Sequence, residues 1–318
     1  MNKKIGSTPI AKIKNQVDMN RFVKSLGLEN KPLIIKPNWI APRHGEYNDA
    51  KALELLFKAV QGPKKIVESY SFWRTKKQLE SREDYFSSTE GTLKEGKKHW
   101  NHFKKQDKWF LEHSGISRIL KKYKVDYINI TNEYWSKRCV SSSKVKDLVG
   151  AKFSPIVRKE LLSFVPQILF DMKGSQFLSF AHAKAYTDWE VTLSTKNLFG
   201  LIPAPTRWPL YHGDDDQDLS QNIVDINKIY RALFNCCFMV EGIFTVLKEF
   251  HKPNHEIVEN WGVVVGGRNS AEVDNIATKL IGRDLSRAKI DPISKAEEEF
   301  GKFDHRILDK LPKKFFIS

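Results

Sequence analysis

The side chains best suited to chemistry crowd into one stretch, 184–213 (KAYTDWEVTLSTKNLFGLIPAPTRWPLYHG). There Lys184, Lys196, Asn197, Arg207 and His212 are interleaved with Gly200, Pro203, Pro205, Pro209 and Gly213. Glycine and proline at these intervals make a sharply folded connection, and such a connection dense in donors serves a site. Lysine brings a positive point charge to a carboxylate or phosphate, and a desolvated lysine can act as a base or as a Schiff-base nucleophile. His212 has the side chain whose ordinary pKa is closest to neutrality, which suits a general acid or base. The candidate catalytic residues are therefore His212, Lys184, Lys196 and Glu241, with Lys36, Asn38, Asn197, Arg207 and Asp274 for binding.

Lys36-Pro37-Asn38 enters because it ends an apolar run, and ligands of open α/β sheets gather outside the carboxyl ends of strands. The competing reading is a turn in which Asn38 only bonds nearby backbone. Glu68 also ends a strand. Glu241 lies inside the apolar run 238–244, where an acid needs a partner: either a lysine pairs with it structurally or it works as a base. Asp274, one turn into a helix, either points back at the strand ends or complements the helix N-terminus.

Other signatures are missing. Gly266-Gly267 is not the Gly-x-Gly-x-x-Gly of dinucleotide sites, there is no Walker A lysine motif, and no Gly-x-Ser-x-Gly elbow occurs. His251 and His255 have ligand spacing, but Pro253 between them breaks a helix, so no metal site is expected. Asp214-Asp215-Asp216 reads as a dipole partner at a helix start rather than a cation site. The residues specify no cofactor.

The elements that must position these groups follow from periodicity. Lys31 to Trp39 reads as a buried strand ended by Pro37. A helix from about Asp49 carries Ala52, Leu53, Leu55, Leu56 and Ala59 at helical spacing and stops at Gly62-Pro63, and a strand spans 65–69. This β-α-β unit favours a parallel pair with a right-handed crossover. Residues 73–106, charged and aromatic, suggest mobile helices or a lid; a helix over 116–123 then leads to a strand over 125–130. Beyond, the pattern predicts a helix over 156–165, a strand over 177–181, a short strand over 191–196 and an amphipathic helix over 216–233. Strands over 238–244 and 262–266 and a helix over 270–281, with Asn269 as N-cap, complete the reading. The alternation predicts an α/β fold with helices layered around a mostly parallel or mixed sheet.

These residues resemble a known family, the one catalogued as domain of unknown function 362. The resemblance runs from about Leu33 to Ile281 through IIKPNW (34–39), KKIVES (64–69), VTLSTKNLFGLIPAPTRWPLYHG (191–213) and GVVVGGRNSAEVDNIATKLIG (262–282). In many members a lysine-x-histidine precedes the third block; here Lys184-Ala185-Tyr186 keeps the lysine and has tyrosine for the histidine. The family's aspartate-glycine pair resembles Glu241-Gly242, and LKEFHKPNHEIVEN stands where a Gly-Pro-rich loop is usual. The resemblance implies an α/β fold and a shared strand-end site, without an established reaction. Some relatives carry ferredoxin-like clusters on four spaced cysteines; Cys139, Cys236 and Cys237 cannot supply a four-thiolate cluster from this chain alone.

The chain has 318 residues and a net charge of +15, and at 41% hydrophobic residues it can bury a substantial core, which excludes a disordered protein. Residues 1–150 hold 31 Lys+Arg against 16 Asp+Glu, and residues 151–318 hold 22 of each, so the whole excess is N-terminal. That shift, with the polar stretch 141–150, divides the chain into a basic lobe over 1–150 and a neutral one over 151–318 carrying the Lys/Asn/His loop, or else the two form one continuous domain. No export signal or run of eighteen apolar residues occurs, and three cysteines fit a reducing compartment, so no membrane partner and a cytoplasmic location are expected. The composition leads to an enzyme acting on a small anionic metabolite, carboxylate or phosphate, by proton-transfer or redox chemistry. The rival is a non-catalytic protein binding nucleic acid or another polyanion through the basic lobe, with Phe72, Trp73, Trp100, Phe103, Trp109 and Phe110 as stacking surfaces.

Overall fold

The computed structural model describes residues 3–81, 96–186, 190–204, 207–250 and 256–317. In chain order its strands are β1 (Lys3–Ile5), β2 (Thr8–Lys12), β3 (Leu33–Pro37), β4 (Lys64–Glu68), β5 (Asp126–Asn129), β6 (Gln176–His182), β7 (Lys184–Tyr186), β8 (Asn235–Gly242), β9 (Thr245–Phe250), β10 (Ile257–Glu259) and β11 (Val263–Gly267). Eight of them form one mixed sheet in the order β1-β2-β11-β8-β6-β3-β4-β5; β10-β9-β7 is a second, smaller sheet. From β8 to β5 the neighbours run parallel, whereas β11 pairs antiparallel with both β8 and β2. The strands after residue 150, β11, β8 and β6, thus lie between two groups from before it, β1-β2 and β3-β4-β5, with Leu33 of β3 opposite Gln176 of β6.

Parallel strands are buried on both faces, and the sequence of β3, LIIKP, is buried throughout. Its residues divide by alternation. Ile34 packs with the helices Leu219–Leu233 and Ser270–Leu280 on one face, while Leu33 and Ile35 pack with Gln16–Ser25, Ala50–Ala59 and Ile116–Lys122 on the other. Phe177 and Leu178 of β6 divide the same way. The α/β fold with helices layered on a mixed sheet is therefore present. Asp49 caps the helix Ala50–Ala59 by accepting from the Ala52 N–H at 2.8 Å, and Asn269 caps Ser270–Leu280.

Several elements depart from the expected ones. Residues 191–196 are not a strand: Val191 makes one isolated bridge to Ala185, and Ser194–Asn197 is a helical turn. Asp274 accepts the Ser194 and Thr195 N–H groups that a ladder would need. Between 156 and 165 only a 3-10 turn, Lys159–Ser163, forms, and Asp225 takes the Val157 N–H. The polar stretch 141–150 contains the helix Ser142–Gly150, which buries Val145 and Val149. Within 73–106 lie the helix Lys76–Ser81 and the start of Trp100–His113; residues 82–95 fall outside the described residues, as do Pro205, His251, Pro253 and His255. Phe103 and Phe110 are fully buried and Phe72 nearly so, in core clusters that also take up the half-buried Trp73, Trp100 and Trp109.

Candidate functional site

Adjacent parallel strands end side by side, which brings Lys36 of β3 to Glu68 of β4. The Lys36 ammonium donates to Glu68 Oε2 at 2.8 Å, to the Pro37 carbonyl at 2.7 Å and to Asn197 Oδ1 at 3.3 Å, which accounts for its three protons. Burial lowers its pKa to about 8, against the opposing pull of Glu68. A side chain at Gly200 would intrude here: a Cβ would lie 2.7 Å from Lys36 Nζ and 3.0 Å from Glu68 Oε1. Glycine at 200 is what lets the loop close over this pair.

Asn197 is committed on both sides of its amide. Its Oδ1 accepts from Lys36 and from Asn38 Nδ2 at 3.2 Å, and its Nδ2 donates to the Lys36 carbonyl at 2.9 Å and to Ser179 Oγ at 3.1 Å. Asn38 Oδ1 in turn accepts from Lys184 Nζ, and the Asn38 N–H donates to Asn48 Oδ1 at 2.5 Å. Lys184 is buried, and desolvation brings its pKa to about 7 although Glu46 pulls it upward. Asn38 therefore bonds side chains from three other segments and is more than a local turn residue.

Lys196 projects from the helical turn Ser194–Asn197. Asp274, itself fully buried, fixes that turn by accepting from the Ser194 N–H at 2.9 Å, the Ser194 hydroxyl at 2.5 Å and the Thr195 N–H at 2.8 Å. Burial raises the pKa of Asp274, and these hydrogen bonds work against the rise. The Lys196 ammonium stands 5.4 Å from the centre of the Tyr186 ring, at the position where the resembling family has histidine. Burial lowers its pKa well below the ordinary value, with Asp216 opposing and Lys184 adding to the fall. Arg207 donates through Nη2 to the Tyr70 carbonyl at 2.8 Å, while its buried Nε has no hydrogen-bond partner among the described residues. Desolvation brings the Arg207 pKa down to about 10, and Glu68 opposes it.

Lys36, Asn38, Glu68, Lys196, Asn197 and Arg207 line a common cavity of about 60 Å³. A volume of this size holds a few waters or one small polyatomic anion. Three of the lining side chains, Lys36, Lys196 and Arg207, are basic and one, Glu68, is acidic.

The remaining expected residues lie beside this cavity rather than in its wall. His212 Nδ1 bonds Asp216 Oδ1 at 2.5 Å, and its ring packs edge-on against Phe199, a wall residue, at 5.3 Å. Burial, then Lys196, pushes its pKa to about 4, so the ring is neutral at pH 7. The partner of Glu241 is a histidine, not a lysine. Its Oε1 bonds His182 Nδ1 at 2.7 Å and accepts from Asn48 Nδ2 at 2.7 Å, and Oε2 accepts the Ile243 N–H at 3.0 Å. Asn48 joins this pair to Asn38. Sequence reasoning gave no role to Asn48 or His182, gave Gly200 only a place in the fold of the 184–213 connection, and gave Glu68 none in the site. Only Glu68 carried a signal, its place at the end of a strand next to the one ending in Lys36.

Among the described residues no group of three or more His, Cys, Asp or Glu is arranged to hold a metal ion, and no helix is long and apolar enough to cross a membrane. The three cysteines are free. In comparisons with known proteins, the model of one family, described as Domain of unknown function (DUF362), matches residues 34–279. No curated protein and no solved structure matches the chain.

Proposed function

Since the chain belongs to the DUF362 family, whose description assigns no reaction, we propose from its own residues that it is an enzyme that binds a small carboxylate- or phosphate-bearing metabolite and moves a proton on it. The observation that carries this reading is the imbalance of the cavity wall, three basic side chains to one acid, with a buried Arg207 Nε left unpaired. Buried positive charge without its complement is unfavourable, and an anion supplies the complement. Arg207 anchors the anionic group. Lys196, which burial holds well below its ordinary pKa, loses its proton more readily than a solvated lysine, and in its amine form takes a proton from an adjacent atom of the substrate. The ammonium so formed is stabilised by the bound anion beside it. Lys36 and Asn197, with every donor engaged, hold the wall in place, and His212 keeps Phe199 packed. The three free cysteines support a reducing, cytoplasmic setting.

Titration calorimetry with phosphate and with small carboxylates, repeated in two buffers of different ionisation enthalpy, tests the reading. It requires binding that is lost in Arg207→Met, with a proton exchange on binding that changes in Lys196→Met. Tight binding with the same proton exchange in Lys196→Met would remove the role given to Lys196.

A further inference from the structure

The single acid in the wall limits which anions fit. Glu68 accepts from Lys36 Nζ and, at 3.4 Å, from the Trp39 N–H through Oε2, and from the Ser69 N–H at 3.0 Å through Oε1. A carboxylate offers about four lone-pair directions, so these three bonds leave one acceptor position, on Oε1. That oxygen lies where a side chain at Gly200 would be, 3.0 Å from the ideal Cβ, and Gly200 is itself part of the wall. The missing side chain thus leaves an acceptor open within a cavity whose other ionisable side chains are basic. A plain oxyanion placed there sets lone pairs against a carboxylate, a repulsion that the small volume gives it no room to avoid. An anion carrying its own O–H or N–H turns the same contact into a charge-assisted hydrogen bond.

We propose that the ligand of this cavity is a small oxyanion bearing a hydrogen-bond donor next to its anionic oxygens, a 2-hydroxy carboxylate or a hydrogen phosphate group, and that Glu68 reads that donor. This selectivity rests on the anion-binding reading above. Arg207 and Lys196 meet the anionic oxygens, and Glu68 accepts from the hydroxyl. Lys36 is the positioning residue, since its bonds to Glu68 and Asn197 fix the carboxylate against the wall.

Matched pairs of probes test this on the wild-type protein by calorimetry or ligand-induced thermal shift: glycolate against acetate, and phosphate against sulfate. One hydrogen bond to a charged acceptor corresponds to a preference of about tenfold or more. A preference for glycolate alone identifies the hydroxy carboxylate as the source, and one for phosphate alone the hydrogen phosphate; either supports the proposal. Equal binding within both pairs overturns the selectivity and leaves the anion site standing, whereas no binding by any of the four overturns both. Glu68→Gln, which keeps the shape, is expected to bring both ratios to about twofold or less. If that variant does not fold, the wild-type ratios decide the matter alone.

Discussion

Lys196 and Lys184 differ from the many solvated lysines of this chain because desolvation lowers their pKa values, that of Lys184 to about 7 and that of Lys196 well below the ordinary value. Replacing Lys196 with methionine keeps the apolar stem against Tyr186 and removes the amine. The expected result is a near-normal melting temperature with anion affinity reduced at least about tenfold; a large drop in melting temperature would make it a structural partner of Asp216 instead. Lys184 gives a pH test. Its folded-state pKa of about 7 lies below the ordinary 10.5, so between these values the unfolded chain holds more protons at this position and stability rises with pH. Urea titrations from pH 7 to 10 are expected to show that rise, and Lys184→Met to reduce it, with the buried Lys36 and Lys196 supplying the remainder. Gly200→Ala forces a methyl group onto Lys36 and Glu68, and a loss of about 1–3 kcal/mol is expected in denaturant titration.

At the scale of elements, the site depends on a helical turn that the sequence did not reveal. The alternation in EVTLST suggested a strand, and local pattern contains no sign that Asp274, eighty residues on, takes the N–H groups of Ser194 and Thr195. Asp274→Ala leaves both buried amides unpaired, at about 1–3 kcal/mol each. Melting and anion binding are expected to fall together, unlike the separation expected for Lys196→Met. The central strands were legible because β3, β4 and β8 are short apolar runs ended by proline, glutamate or glycine. The small strands β7, β9 and β10 were not, since their pairing joins distant segments with no periodicity of their own. The same contrast holds in the site. Lys36 and Asn38 announced themselves by type and by position at a strand end, and Lys196, Asn197 and Arg207 as donors in the Gly/Pro-rich stretch 184–213, while the partnership of Glu241 with His182 follows from the register of β6 on β8, where the two residues stand opposite. Register is not written in either strand alone.

For the whole molecule, the net charge of +15 acts as a diffuse attraction on polyanions. Filter binding of nucleic acid is expected to be weak and to fall steeply between about 50 and 200 mM salt. Nanomolar affinity for one sequence over others at the upper salt value would favour the polyanion reading over the enzyme, although Phe103 and Phe110, two of the aromatics it would use, are fully buried. The sheet also has a consequence for how the protein is made. β3 lies between β4 and β6, and β6 begins only at Gln176, so on the ribosome β3, β4 and β5 emerge well before the neighbour that covers the inner edge of β3. At ordinary elongation rates that interval is on the order of ten seconds. Throughout it the nascent chain presents an apolar strand edge, β3, that the finished protein never shows, and an open edge of that kind is a template for pairing with other chains.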